Sequence, residues 1–543
     1  MQPRRRTMDE EKNASGITRR SLLMGMGLGA AGIAAGMMGC APTAPQPAES
    51  DVSEQTDAVA LKEPDETIDA DIVICGSGMG GMSAAVTAAE EGANVVVLEK
   101  QSILGGGTNF AEGVFGMGSD LQKEAGVTGD LKELIAIEME FQRHIVDYTL
   151  WEFVAEGAEE NLVWLMDHGV EFVELGQGPY AAIRTQHMYV DHRGSNMIAK
   201  LEEAARSLGV DIRLETPGVH LLTDNDAVVG VQAESDGKVI NVNAKAVILA
   251  TGSAGENEEL FNQYTSRVAE KYMWCGAQGL TGDGIRMACE AGMGEPFRLM
   301  APIVGTTVEP LGVASHLASL GAMNPYALWV NQNGIRFTDE GLTRAYTTSV
   351  NAVESQIKTF SIVDQNLFDR LVQEGDMNVG WGYYVNKGTA LSDAPKELER
   401  ELKANSENVF KADTIDELAK RMGIDPATLK NTVEEYNALV DSGADTLHGK
   451  KPEYLAEVRT GPFYGFRVKG SKVNMFGGIH INSNVEVVRE DGSVIPGLYA
   501  AGVECGGFQG ETYGITVPSS CQGISLSTGR RSAKNAAAYA KAK

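Results

Sequence analysis

The sequence predicts an α/β fold built on a parallel sheet with a Rossmann-like dinucleotide-binding unit, and three stretches carry that prediction. Asp71-Ile72-Val73-Ile74-Cys75 is an apolar strand that runs into Gly76-Ser77-Gly78-Met79-Gly80-Gly81 and a small-residue helix start. The spacing Gly76-x-Gly78-x-x-Gly81 allows a tight turn, close backbone approach to a pyrophosphate, and close packing of helix on strand, with phosphates on the helix N-terminus. A second strand, Asn94-Val95-Val96-Val97-Leu98, ends at Glu99, 23 positions after Gly76, where a carboxylate suits a ribose diol. Lys245-Ala246-Val247-Ile248-Leu249 is a third buried-type strand, closed by Ala250-Thr251-Gly252-Ser253.

Composition narrows the class. With 543 residues the chain accommodates two or more domains, and 43% hydrophobic residues with 63 glycines suit a loop-rich α/β enzyme. A formal charge of −28 excludes nucleic acid as a natural partner. The cysteines, Cys40, Cys75, Cys275, Cys289, Cys505 and Cys521, form no C-x-x-C, so local iron–sulfur, zinc and c-type haem signatures are absent and no metal site is expected.

The N-terminus reads as targeting. Thr18-Arg19-Arg20-Ser21-Leu22-Leu23 resembles the twin-arginine consensus, followed by an apolar run from Leu22 to Met38. Met37-Met38-Gly39-Cys40 resembles a lipoprotein cleavage box. The expectation is a signal over 1–39, export by the twin-arginine route, and a lipid anchor at Cys40 on the extracytoplasmic face of the cell membrane. A retained signal anchor is the alternative. Residues 40–66, rich in Pro, Ala, Ser and acidic side chains, read as a disordered tether.

Next, Gly105-Gly106-Gly107-Thr108-Asn109-Phe110-Ala111 offers backbone close to a second part of the same cofactor. Helical spacing covers 130–170 and 198–208; strands are expected at 211–214, 218–222, 227–235 and 239–242. Helices are expected again over 397–411, 414–422 (capped by Thr414 and Glu417) and 426–441 (capped by Asp425 before Pro426), and last over 523–540.

These pieces, with Thr281-Gly282-Asp283-Gly284, Arg336-Phe337-Thr338-Asp339-Glu340 and Pro496-Gly497-Leu498-Tyr499-Ala500-Ala501-Gly502, resemble the fumarate reductase/succinate dehydrogenase flavoprotein superfamily. The likeness is to its soluble single-chain branch, with ketosteroid dehydrogenase relatives. It implies non-covalent FAD in a domain of residues 67–302 and 474–543, and an inserted α+β capping domain over 303–473. It assigns the adenosine end to Gly76, Ser77, Gly78, Gly80, Gly81, Glu99 and the strand near Val219. The flavin end falls to Thr108, Asn109, Asp283, Gly502, Glu504, Ser525 and Leu526, and Lys100, Gly106, Thr251 and Gly252 also go to the cofactor.

A reductase of an activated C=C bond needs hydride from the flavin and a proton donor on the opposite carbon. The resemblance makes Arg344 that donor, eight positions after Arg336; a solvated surface arginine is the alternative. Tyr513 is a second catalytic candidate, as a phenol that polarises a carbonyl or takes a proton, or else a packing tyrosine. Tyr346 and Trp329 are weaker pocket candidates.

The departures from the family are informative. The histidine expected before Met-Gly-Gly is replaced in Lys472-Val473-Asn474-Met475-Phe476-Gly477-Gly478, and the loop 506–518 holds no arginine. Leu317–Met323 lacks the acid and arginine of the family's proton path. Losing two carboxylate clamps removes charge-assisted bonds of about 1.5–3 kcal/mol each. The expectation is a neutral to apolar pocket and a small-molecule alkene other than fumarate. A 3-ketosteroid-type dehydrogenase and a non-catalytic electron-carrying flavoprotein remain as alternatives. With no local haem or iron–sulfur motif, electrons must come from an external cytochrome, quinol oxidoreductase or flavoprotein.

Overall fold

The computed structural model describes residues 61–176, 181, 183–297, 302–312, 314–376 and 388–543. The signal of 1–39, Cys40 and the expected tether through residue 60 lie outside the described residues; 61–66 are not tether, because Lys62 N donates to Gln232 Oε1 (3.1 Å), Asp65 N donates to Val239 O (2.8 Å) and Glu66 opens the first strand. Among the described residues no helix is long and apolar enough to cross a membrane.

Strand β1 (Glu66–Cys75), helix α1 (Met79–Glu90) and strand β2 (Val95–Leu98) form the expected βαβ unit. Its apolar run is continuous because both faces of the strand are covered: Ile72, Val73 and Ile74 have no exposed surface. Strand β3 (Lys238–Leu249) pairs in parallel with β1 on its other side, and Val494–Ala500 follows in parallel. With Glu486–Val488, Asp211–Arg213, Gly218–Asp224 and Ala227–Ser235 they make an eight-stranded sheet. The expected strands 239–242 and 245–249 are one strand, because Asn243 and Ala244 keep pairing with Asp69 and Ala70.

A second sheet of six strands is organised on β4 (Phe463–Met475), which pairs with Tyr272–Trp274, Pro302–Val308, Thr359–Val363 and Val409–Ala412. β4 therefore runs across the expected boundary at 473/474. Two apolar clusters around Trp329, Leu371, Leu418 and Tyr436 pack this part. Thr414 and Asp425 cap their helices by accepting from Glu417 N and Thr428 N. The helix expected over 397–411 spans Ala394–Lys403 instead. Asn405 turns the chain at a φ of 51°, and Val409–Ala412 becomes an edge strand on β4, so tertiary pairing overrides helical periodicity.

The last helix, α2 (Ser520–Ala542), packs along α1. The two approach closely enough that a Cβ on Gly529 would lie 2.4 Å from Gly80 O. A small sheet of Gly113–Phe115, Gln186–Tyr189 and Phe172–Leu175, not expected from the sequence, stands beside α2.

Candidate active site

One continuous cavity of about 970 Å³ connects the glycine turn after β1 to the inner face of the second sheet. At one end lie Gly76, Ser77, Gly78, Gly80, Glu99 and Lys100; at the other, Met323, Arg344, Tyr346, Val473, Tyr513 and Ile515. Gly106, Thr108, Thr251, Gly252, Asp283, Gly502 and Ser525 line it between.

The glycine end is built by steric exclusion. Gly76 sits at φ +103°, and a Cβ there would lie 2.1 Å from Ala250 O. Glu99, 6% exposed, accepts at Oε2 from Ser77 N (3.1 Å) and Ser77 Oγ (2.5 Å), and at Oε1 from Gln101 N (2.8 Å). Met79 N donates to Thr108 Oγ1 at 3.0 Å, which ties the Gly105–Gly107 segment to the start of α1. Lys100 Nζ reaches Asp283 (2.6 Å) and Thr281 Oγ1 (2.9 Å).

Five of the expected cofactor residues do not line the cavity, each for a visible reason. Gly81 is a packing glycine, whose Cβ would lie 1.9 Å from Gly76 O. Asn109 donates to Leu104 O at 2.8 Å and staples its own turn. The chain passes Val219 with its carbonyl held by Arg286, and Pro217 and Gly218 face the cavity instead. Leu526 is core. Glu504 stands behind Thr251, accepting from its N and Oγ1, both at 2.7 Å. Burial, with some help from Asp283, pushes the Glu504 carboxyl up to about 8.

At the far end, Arg344 is 6% exposed, which removes the surface-arginine alternative. It sits on a 3₁₀ turn, Glu340–Ala345, which is anchored by Glu340. Glu340, with no exposed surface, accepts from Arg336 Nε (2.9 Å), Arg336 Nη2 (2.7 Å) and Trp329 N (3.0 Å), and Lys450 Nζ lies 3.2 Å away. Asp445 takes a further bond from Arg336 at 2.7 Å. Burial alone would raise the Glu340 carboxyl, but Lys450 and Arg336 outweigh it and hold it below its ordinary range.

Tyr513 stacks on Phe476 at 5.8 Å, and its phenol is pushed well up, first by burial and then by Cys521. Tyr346 leaves 40% of its surface open, onto the cavity it lines; surrounding protein and the nearby Glu112 push its phenol up to about 12, with Arg344 opposing. Trp329 lies in the core of the second sheet, away from the cavity.

The expected neutral to apolar lining is corrected by Glu112, Glu174, Arg184 and His192, all on the cavity wall. Periodicity and motif gave no sign of them. Glu112, five residues after Gly107, was the most findable, since the segment that presses on a cofactor also borders its reacting end.

A glycine cradle continuous with a buried arginine and two phenols defines a dinucleotide-dependent oxidoreductase. The chain belongs to the family described as FAD binding domain, matched over residues 71–513, within the fumarate reductase/succinate dehydrogenase flavoprotein superfamily. It is 33% identical over 479 residues to a vinyl phenol reductase of Lactiplantibacillus plantarum, covering 86% of this chain and 96% of that one. It is 27% identical to the open conformation of a flavocytochrome c3 fumarate reductase, with a TM-score of 0.66 over 88% of this chain and 79% of that one. A 3-ketosteroid-Δ4-(5α)-dehydrogenase from Rhodococcus jostii RHA1 matches at 25% identity and TM-score 0.66, over 88% and 99%.

The protein is an FAD-dependent oxidoreductase. The cradle fits the cofactor: the Glu99 carboxylate is fixed beside the glycine turn by Ser77 and Gln101, Gly78 lines the cavity where a Cβ would meet protein only at 3.6 Å and so fill open space, and Gly80 lets the chain at Gly502 approach, where a Cβ would lie 3.0 Å from Gly502 N. The first two turns of α2 bring Cys521, Gln522 and Ser525 to the wall, in keeping with a helix N-terminus turned to the flavin.

Proposed function

We propose that this protein reduces an activated C=C bond in a neutral, aromatic-conjugated small molecule, taking electrons from an external donor on the extracytoplasmic side of the membrane. The observation that carries the reading is the single cavity with the FAD cradle at one end and Arg344, Tyr346 and Tyr513 at the other. The bound flavin supplies the hydride. The chain must then supply a proton at the opposite carbon, a polarised substrate, and exclusion of water.

The buried position of Arg344 on the cavity wall supports it as the proton donor or as the group that delivers the proton. A guanidinium is a poor acid in water, so the role asks for a fixed approach to the reacting carbon, which the rigid turn that carries Arg344 favours. Tyr346 and Tyr513 keep their protons at neutral pH, as phenols ordinarily do, and both are shifted further upward, so each can donate toward a substrate oxygen. Met323, Phe110, Val473 and Ile515 give the same end apolar wall against which an aromatic ring packs. The likeness to a vinyl phenol reductase, over nearly its whole length, supports a substrate of this kind.

The test is an anaerobic assay of the FAD-loaded protein with reduced viologen against 4-vinylphenol and related aryl alkenes, fumarate and urocanate. Parallel reactions offer 3-ketosteroids with an artificial electron acceptor. The expected result is viologen oxidation with a neutral aryl alkene and none with fumarate. Steroid oxidation without alkene reduction, or no turnover of any alkene, overturns the reading.

A further inference from the structure

Glu112 lines the cavity, yet its carboxylate has no hydrogen-bond partner among the described residues. The backbone around it cannot yield. Its carbonyl accepts from Tyr189 N at 2.9 Å, and Gly113 pairs with Met188 so closely that a Cβ would lie 2.2 Å from His187 O. The side chain is thus held on the wall beside Tyr346.

Arg344 also acts on Tyr346 from this end of the cavity, and the remaining charged groups on this stretch of wall have partners of their own. Glu174 holds His192 at 3.1 Å, and Arg184 donates to Leu175 O at 2.7 Å and lies 3.5 Å from Gly176 O. His192 also attracts Glu112, but the removal of the carboxyl from water dominates and raises its pKa. Glu112 is half-buried, so its carboxylate has given up part of its water without gaining a bond in exchange. A ligand that brings a donor relieves that loss, and a ligand carboxylate increases it.

Resting on the C=C reductase reading, we propose that Glu112 reads the substrate: its carboxylate accepts a hydrogen bond from a hydroxyl on the aryl alkene and turns away substrates that carry a carboxylate. This assigns the substrate class as a hydroxylated, uncharged aryl alkene. Glu112 acts through binding and orientation and takes no part in the transfer of hydride or proton.

The experiment compares 4-vinylphenol with its methyl ether, 4-methoxystyrene, in the wild-type holoprotein and in Glu112→Gln and Glu112→Leu, with FAD content as the check on folding. The wild type should favour the phenol by 10- to 100-fold in kcat/KM. Glu112→Leu should abolish that preference through a raised KM for the phenol, leaving the ether within 3-fold. Glu112→Gln, an acceptor without charge, should keep part of the preference and raise the rate with cinnamate at least 10-fold. An unchanged preference in both variants, or an equal loss on phenol and ether, overturns the proposal while the reductase reading stands. If the wild type reduces neither alkene, the reductase reading fails, and equilibrium titration of the holoprotein with 4-ethylphenol and 4-ethylanisole still decides Glu112. Tighter binding of the phenol that Glu112→Leu removes supports the assignment, and equal binding overturns it.

Discussion

Glu340 offers the sharpest test of how Arg344 is held. Its carboxylate is buried among Arg336, Lys450 and the amide of Trp329, four residues before Arg344 on the same turn. Glu340→Gln keeps the shape and one acceptor but leaves two buried cations facing a neutral group. Breaking a buried pair by removing one partner costs about 3–5 kcal/mol. The lower end applies here, because Arg336 retains Asp445, and Lys450 Nζ retains Ala327 O (3.1 Å) and Tyr436 Oη (3.0 Å). A cost of about 3 kcal/mol is roughly a 100-fold rise in the unfolded fraction. Urea denaturation of the FAD-loaded protein at fixed FAD, followed by tryptophan fluorescence, measures it, since Trp329 N is itself bonded to the altered side chain. Turnover should fall at least tenfold as well, because a displacement of about 1 Å near the chemistry costs roughly 100-fold. The native carboxyl is held below its ordinary value of 4.5, so the wild type should lose this stability as pH falls through and below 4.5, while Glu340→Gln shows no such loss. Glu399→Gln, at an exposed pair with Lys403, is the control and should change nothing measurable. Equal midpoints for the two variants would refute the claim that Glu340 holds this turn.

Further outcomes follow from the same geometry. Arg344→Ala should abolish alkene reduction while the flavin absorbance of the purified protein stays at wild-type level, because Arg344 lies at the end of the cavity away from the cradle. Gly76→Ala should prevent FAD retention altogether, since its Cβ would fall 2.1 Å from Ala250 O at a φ that L-residues rarely adopt; flavin content after purification checks it. Glu504, pushed up to about 8, stays protonated in the native state across a range where the unfolded chain is ionised. Its contribution is full below 4.5 and is lost as pH rises toward 8, so Glu504→Gln should flatten that part of the stability curve in pH-dependent denaturation. The proposed export rests on the sequence alone and has its own test: if the twin-arginine and lipoprotein expectations hold, replacing both Arg19 and Arg20 by Lys retains the protein in the cytoplasm and Cys40→Ser releases exported protein from the membrane fraction, as cell fractionation would record.

The cradle was legible in the sequence because its demands are local. A positive φ at Gly76 and a sub-van-der-Waals approach of α1 to the sheet admit only glycine, so the residue type at fixed spacing carries the geometry. Glu99 was legible by its place at the end of β2, where its carboxylate accepts from Ser77 and Gln101. The substrate end draws on Glu112, Met323, Arg344, Tyr346, Val473 and Tyr513, which come from distant stretches and meet only because the second sheet folds onto the first. No periodicity links them. Arg344 was found through family resemblance, and its burial became visible only when Glu340 and Lys450, 110 positions apart, met beneath it. The helix boundary near 403 shows the same limit, since an amphipathic pattern continues past the point where β4 claims the chain as a strand partner.

The correction to the pocket's polarity strengthens the case against a dicarboxylate substrate. Two features act in one direction: the family's clamping histidine and arginine are missing from 472–478 and 506–518, where Lys472 lies over Phe261 and off the cavity wall, and the Glu112 carboxyl stands on that wall, while Arg184 and His192 are taken up by Leu175 O and Glu174. Two like charges about 8 Å apart in a medium of effective dielectric about 20 repel by roughly 2 kcal/mol. That repulsion adds to the lost clamps, so a substrate carboxylate placed near Tyr346 is disfavoured twice. Arg344 does not reverse the balance. It serves one position at the reacting carbons, and a single guanidinium cannot both approach the alkene and neutralise a carboxylate at its far end. The pocket keeps the cation that chemistry requires and has exchanged the cations of substrate capture for an acceptor. On the proposed reading, that exchange suits the site to a neutral alkene bearing a hydroxyl rather than to a dicarboxylate.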